Sequence, residues 1–461
     1  MGFVHFTKGL SMYRKHILHW LILLLCIASV CNAQREERSE RSNNSKIVFE
    51  THNSHSTQPS KSRLDILYRV PYDFFIFIKN PAAVSPPFVA HGEITVDLID
   101  KNKSIASHAF FHKTLEANDP SPSFSTKSFL EGMTSCDLPP GDYTLQIEIS
   151  DHESGRVYRN EPQSIRLRDF STEQFQLGDI LLINPRPVET DTIRPFNDGG
   201  DVPFAKHFEI YSELIAPVPT ESVRVDCKLF SVVHDLDSLV LVLHDSLIGV
   251  SASEKNILQL GTIEGEKYYT LSKSPTDSLI GIWFTVQNDT LTEGSYRIEL
   301  TASAKNQSVH IGQSFRIRWF DKPFSLQSIP NAIDALSYIA DKDEIDKMRH
   351  ADDKTQKMLF DAFWKKRDPT PNTAFNEVMN EYYRRVDYAT NAFSTLQQRN
   401  GMKTDRGKTY IFYGTPESIS RDLSLSSFPT ETWVYSRLHK KLIFTDKSKR
   451  GDYQLTATED F

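Results

Sequence analysis

Three carboxylates near the C-terminus have the types and spacing for acid–base chemistry. Asp405 sits in the polar run Thr404-Asp405-Arg406-Gly407, and Glu377 and Glu381 stand one helical turn apart upstream. If Asp405 and one of these glutamates met in one pocket, roughly 5–10 Å apart, they could split a glycoside as an acid/base pair. Arg406 would then hold an anion. The same run reads with fewer assumptions as a turn. Aspartate accepts backbone N–H bonds, glycine takes a positive φ, and the arginine pairs with a helix carboxylate. The turn is the preferred reading.

A second polar set, Asn376, Glu377, Asn380, Glu381, Arg384 and Arg385, recurs at three- and four-residue steps. On a helix these side chains share a face. They could line a cleft facing Asp405, form pairs such as Glu381–Arg385 worth a few tenths of a kcal/mol each, or lock the helix to a sheet as a buried network. The network is preferred. Asp368-Pro369-Thr370-Pro371 stops one helix and starts the next, because proline bars helical geometry in the residue before it. Histidine offers little. His52 and His55 fall in a polar stretch. In a strand, His108 and His112 would share a face about 13 Å apart, too far for one metal. No Cys-x-x-Cys, His-Glu-x-x-His, phosphate loop or Gly-x-Ser-x-Gly occurs. Neither metal nor cofactor is expected.

The elements that must position these residues fall into three blocks. The chain has 461 residues, enough for about three domains. Arg14, Lys15 and His16 precede an apolar run, Ile17 to Val30, and Cys31-Asn32-Ala33 follows. That order predicts a secretory signal peptide, residues 1–33, cut after Ala33. Met12 is an alternative start. Lipidation at Cys26 or Cys31 is disfavoured, since Leu25 and Val30 stand where a small residue belongs. Cleavage leaves 50 basic against 60 acidic residues. That balance argues against nucleic acid as a partner, because phosphate binding needs a basic face. No integral membrane segment is expected after cleavage. Cys136 and Cys227 remain, and Cys227 reads as a buried thiol in an alternating strand rather than half of a disulfide.

Residues 34–45 carry no apolar side chain and predict a disordered tether. Residues 51–62 read as a polar loop. Over 46–172 the apolar period is two, as in Ile94, Val96 and Leu98, or Leu145, Ile147 and Ile149. The same grammar returns over 176–320. Each segment predicts an antiparallel β-sandwich of immunoglobulin-like kind. Both contain Leu-x-x-Gly-x-Tyr before a strand, at Leu138 to Tyr143 and Leu291 to Tyr296. That pattern resembles a tyrosine corner. After residue 325 the period becomes 3.6. Phe375, Val378, Met379, Tyr382, Val386, Ala389 and Phe393 form one stripe, with Asn372 as its expected cap. Gly407 to Gly414 then reads as a turn and a strand. The segment 325–461 therefore predicts an α+β domain.

Several blocks of this segment resemble the GWxTD-domain family of secreted bacterial proteins. They are Trp364 to Pro371, the helix residues Asn376, Glu377, Glu381, Arg384 and Arg385, the run from Gly401 through Thr404, Asp405, Arg406, Gly407 and Gly414 to Pro416, the strand with Trp433, and Gly451 to Leu455. Met402 replaces the signature tryptophan. It can fill an apolar pocket and lacks the indole donor. The resemblance implies export to the periplasm or surface of a Gram-negative-type bacterium, and no activity. The expected function is non-catalytic binding of an envelope protein or a surface glycan. A periplasmic hydrolase using Asp405 with Glu377 or Glu381, and a structural subunit of a secretion or motility apparatus, are the alternatives.

Overall fold

The switch of apolar period near residue 325 is a switch of architecture in this computed structural model: antiparallel strands before it, all of the described α-helices after it. The structure describes residues 47–80, 85–125, 127–170, 175–186, 192–216, 223–233, 238–248, 256–263, 266–276, 278–424 and 426–461. The expected signal peptide (1–33) and tether (34–45) lie outside the described residues. The chain divides into two compact units. One takes residues up to 202, 208–286 and 294–316; the other takes 203–207, 287–293 and 317–461.

In the first unit, strands Val48–His55, Ser62–Pro71 and Phe129–Leu138 form an antiparallel sheet. A six-stranded sheet is built around Phe88–Ile99 and Gly141–Asp151. Leu64, Ile66, Tyr68 and Val70 from the first sheet meet Ile94, Val96, Leu98, Leu145, Ile147 and Ile149 from the second in one cluster. Each such side chain stabilises by about 1.5–3 kcal/mol when fully buried. Strand Ser62–Pro71 is buried on both faces: Leu67 joins Leu181, Ile183, Tyr211, Leu258 and Tyr269 on its far side. Its sequence is accordingly not a simple apolar–polar alternation: Ile66, Leu67 and Tyr68 are consecutive, and the charged Asp65 is buried and Arg63 mostly buried, each with a partner.

That far side also holds a polar cluster. Arg63 lies 3.2 Å from Asp65 and 3.4 Å from Glu213. Tyr269 donates to Asp65 at 2.9 Å and Tyr211 to Glu213 at 3.3 Å. Burial pushes the Glu213 carboxyl above its ordinary value despite the facing guanidinium.

Residues 51–55 are strand rather than loop, with His52, Asn53 and Ser54 buried. Burial of this polar strand is offset in part by long-range pairing at Asn53 and His55. Asn53 donates to Arg63 O at 3.0 Å and accepts from Arg168 N at 2.7 Å, while His55 N donates to Glu213 at 3.0 Å. The corner motif is present as geometry at Tyr143, whose hydroxyl donates to Pro139 O at 2.8 Å. Gly141 and Gly294 have φ of 158° and 159°, so the two segments enter these strands alike. Cys136 and Cys227 are both free thiols.

In the second unit, helices α1 (Ile329–Ala335), α2 (Lys342–Arg349), α3 (Asp353–Lys365), α4 (Glu377–Ala392) and α5 (Asp405–Tyr413) pack with a four-stranded antiparallel sheet. Its strands run in order Ser418–Asp422, Thr430–Tyr435, Lys440–Thr445, Gln454–Asp460. Phe360, Phe363 and Trp364 of α3, Tyr382, Tyr383, Val386 and Ala389 of α4, and Trp433, Tyr435, Leu442 and Phe444 of the sheet share one core. Asn376, not Asn372, caps α4: its Oδ1 accepts from Met379 N at 2.8 Å, and its Nδ2 donates to Trp364 O at 3.0 Å. The segment expected as a strand over 407–414 is helix α5.

Candidate functional site

The signature run begins as one tight turn, Gly401–Lys403, whose start is capped by Asn400 Oδ1 accepting from Met402 N at 3.2 Å. A Cβ on Gly401 would lie 2.3 Å from Ala389 O and 2.6 Å from Ser394 N, at the end of α4. A Cβ on Gly407 would lie 2.0 Å from Gly401 O. The chain therefore passes α4 and then α5 with no side chain between them. Neither glycine has a positive φ; close approach, not turn conformation, demands them. This corrects the expected role of Gly407.

Thr404 is the N-cap of α5. Its Oγ1 accepts from Gly407 N at 3.0 Å and donates to Gly401 O at 2.7 Å. It therefore fastens the turn and the helix in a single step. Asp405 stands in the first helical turn, where a negative charge suits the helix dipole. Its Oδ2 accepts from Leu455 N at 3.0 Å, and its Oδ1 lies 3.6 Å from Lys408 Nζ. Met402 is buried in the core, and its carbonyl accepts from Tyr338 Oη at 2.8 Å. The residue at the signature tryptophan position packs.

Arg406 lies between two rings, 5.4 Å from the centroid of Phe393 and 4.5 Å from that of Tyr453. Its Nη1 is 3.5 Å from Glu431 Oε2. Glu431 is 2% exposed and is also held by Arg421 Nε at 2.9 Å and by Trp433 Nε1 at 2.6 Å. Glu431 was not among the candidate residues. Its place two residues before Trp433 in a strand, and hence on the same face, was the signal that could have found it. Trp433 is fully buried against Phe393 and Phe444.

On α4, Arg385 reaches the end of α5. Its Nη1 lies 3.3 Å from Phe412 O and 3.4 Å from Ile411 O, satisfying carbonyls left open by the helix. Gly414 stops that helix with φ 78°, and its carbonyl accepts from Tyr435 Oη at 2.9 Å. Pro416 is buried two residues on.

The three candidate catalytic carboxylates do not share a partner. Glu377 accepts from Thr370 Oγ1 at 2.7 Å, Glu381 pairs with Arg385 Nε at 2.6 Å, and Asp405 takes the amide of Leu455. Arg384 pairs with Asp321. Among the described residues no cluster of three or more His, Cys, Asp or Glu is placed to hold a metal. Likewise no described helix is long and apolar enough to cross a membrane.

A small helical layer on a four-stranded sheet, pinned by a Gly–Thr–Asp turn, defines the class of this region. Its family is the GWxTD domain, whose model matches residues 294–461. No curated protein matches the chain. Solved structures with some likeness include an ICAM-5 D1–D4 ectodomain fragment, 11% identical, covering 59% of this chain and 53% of that one, with a TM-score of 0.15. A β-glucuronidase of Parabacteroides merdae is 12% identical over 55% of this chain and 28% of its own, with a TM-score of 0.17. The native conformation of E. coli alpha-2-macroglobulin is 11% identical over 59% and 16%, with a TM-score of 0.15. The chain thus spans about half the length of the first and less of the other two. At these TM-scores none of them bears on fold or activity.

Proposed function

We propose that this is an exported, non-catalytic envelope protein of a Gram-negative-type bacterium. Its GWxTD domain binds another envelope protein or a surface polymer, and its two β segments act as immunoglobulin-like spacer modules. One observation carries the reading: Thr404 Oγ1, Asp405 Oδ2, Arg406 Nη1 and both carboxylate oxygens of Glu431 are engaged by the domain's own main chain and side chains. Residues used in this way hold shape. Recognition then falls to the outer surface. Residues Thr430, Thr432 and Val434, with Lys441, Ile443 and Thr445, are partly exposed and alternate with the buried Glu431, Trp433, Tyr435, Leu442 and Phe444. A bare sheet face carrying threonine, valine and isoleucine suits a flat protein or glycan contact.

The hydrolase alternative would need two carboxylates converging on one pocket, and nothing in the site favours it. The test is capture from an envelope extract by the tagged protein and by its Val434→Glu/Ile443→Glu form. The wild type should retain a stoichiometric partner that the variant loses at an unchanged melting temperature. Equal retention would remove the sheet face as the binding surface. Turnover of a glycoside abolished by Asp405→Asn would restore the hydrolase.

A further inference from the structure

We propose that the first unit binds a single-chain carboxylate amphiphile, with a tail of up to roughly ten carbons, in a seam between its two facing sheets. Strands Ile105–Ala117 and Phe129–Leu138 are edge strands of the six-stranded and three-stranded sheets. A cavity of about 290 Å³ lies where they approach, floored by the buried Ile66, Val96 and Leu98. The sequence opens this seam. Ser107 and Ala109 pair in register with Leu98 and Val96 and so face the same core, yet they are small. Two larger side chains there would fill the space. At about 30 Å³ per water-sized group, the cavity accepts a chain of roughly ten methylenes. A two-chain lipid is too large for it.

The lining supplies one cation. Lys267 borders the same cavity, and its Nζ donates to Ser135 O at 3.2 Å. An ammonium has three donors, and that bond uses one. A slot floored by aliphatic and aromatic side chains, with an ammonium and the hydroxyls of Thr134 and Ser135 on its border, is complementary to a hydrocarbon tail ending in a carboxylate. Cys136 lines the slot and reports on it. Burial pushes its thiol up to about 11, so it alkylates slowly, and a bound chain would slow it further.

The test uses the full chain and sodium decanoate, read by calorimetry and by peptide-resolved alkylation of Cys136 at about pH 9. Decanoate should bind saturably and slow alkylation at least tenfold. From hexanoate to decanoate, affinity should rise about fourfold per methylene and then level off. Lys267→Ala should weaken decanoate about tenfold and leave decanol unchanged. Ala109→Phe should abolish both at an unchanged melting temperature. Absence of saturable decanoate binding overturns the proposal. So does protection of Cys136 by phosphatidylglycerol vesicles but not by decanoate, or an equal loss of decanol binding in Lys267→Ala.

Discussion

The α-carbon of Gly407 faces the carbonyl of Gly401 so closely that a methyl group there would come to 2.0 Å from the oxygen. Two opposing effects meet in Gly407→Ala. Alanine is the better helix former by about 1 kcal/mol. The obstructing atom, however, is backbone, and Gly401 is itself pressed against the end of α4. Overpacking of this kind costs about 1–3 kcal/mol or more, so the clash should win. Gly407→Ala is expected to lose about 2 kcal/mol in urea unfolding. Stabilisation by alanine would show that α5 can slide off Gly401 freely.

Thr404 gives a cleaner measurement, because its substitution adds no atoms. Thr404→Ala removes the N-cap bond to Gly407 N and the bond to Gly401 O together. A loss of about 1–2 kcal/mol is expected, with Thr404→Ser recovering most of it through the retained hydroxyl. If serine rescues nothing, the methyl rather than the oxygen is what Thr404 contributes.

How the sequence conceals this site is visible in α5 itself. Lys408-Thr409-Tyr410-Ile411-Phe412-Tyr413 is rich in β-branched and aromatic residues, and by local preference it reads as a strand. The helix wins because Thr404 caps it, Asp405 sits in its first turn, and Thr409 and Ile411 are buried against the rest of the domain. The cap signal was legible in Thr404 and Asp405; its priority over the strand-like run was not, because tertiary packing decides it. The long helix α4 was legible from its stripe, and the period-two segments from theirs. Strand Val48–His55 was hidden because its buried residues are polar, and its partners, such as Asp179 and Glu213, lie far away in the sequence. The reach of Arg385 to α5 depends on residues 26 and 27 positions away, which no local pattern encodes.

Glu431 tests the buried network. Glu431→Ala would leave the Trp433 indole and the mostly buried Arg406 without their carboxylate. Removing one side of a buried pair costs about 3–5 kcal/mol, and a loss in that range is expected. Arg421→Ala touches the same carboxylate from a guanidinium that is 61% exposed. It should cost less than about 1 kcal/mol. Similar losses for the two would mean that the arginine charge, rather than the buried carboxylate, holds the strand in place.

The last prediction concerns pH and the pair His52–Glu50 in the first unit, 3.5 Å apart with both side chains about 10% exposed. Burial works against the charged imidazole, but Glu50, Asp179 and Asp65 outweigh it and raise His52 above its ordinary 6.5. Burial likewise works against the Glu50 carboxylate, and His52 with the amides of Gly199 and Gly200 outweighs that and lowers it below 4.5. The signs follow from linkage. A raised histidine stabilises the fold fully below its unfolded value, and that contribution is lost as pH rises through the folded value. A lowered glutamate stabilises above 4.5, and that contribution is lost as pH falls through its folded value. The pair therefore contributes most between about pH 4.5 and 6.5. Unfolding free energy measured by urea should fall as pH rises above 6.5, and His52→Gln should flatten that slope while lowering stability near pH 5.5. A slope above pH 6.5 that survives His52→Gln would place the titrating group elsewhere and leave His52 neutral in the folded protein.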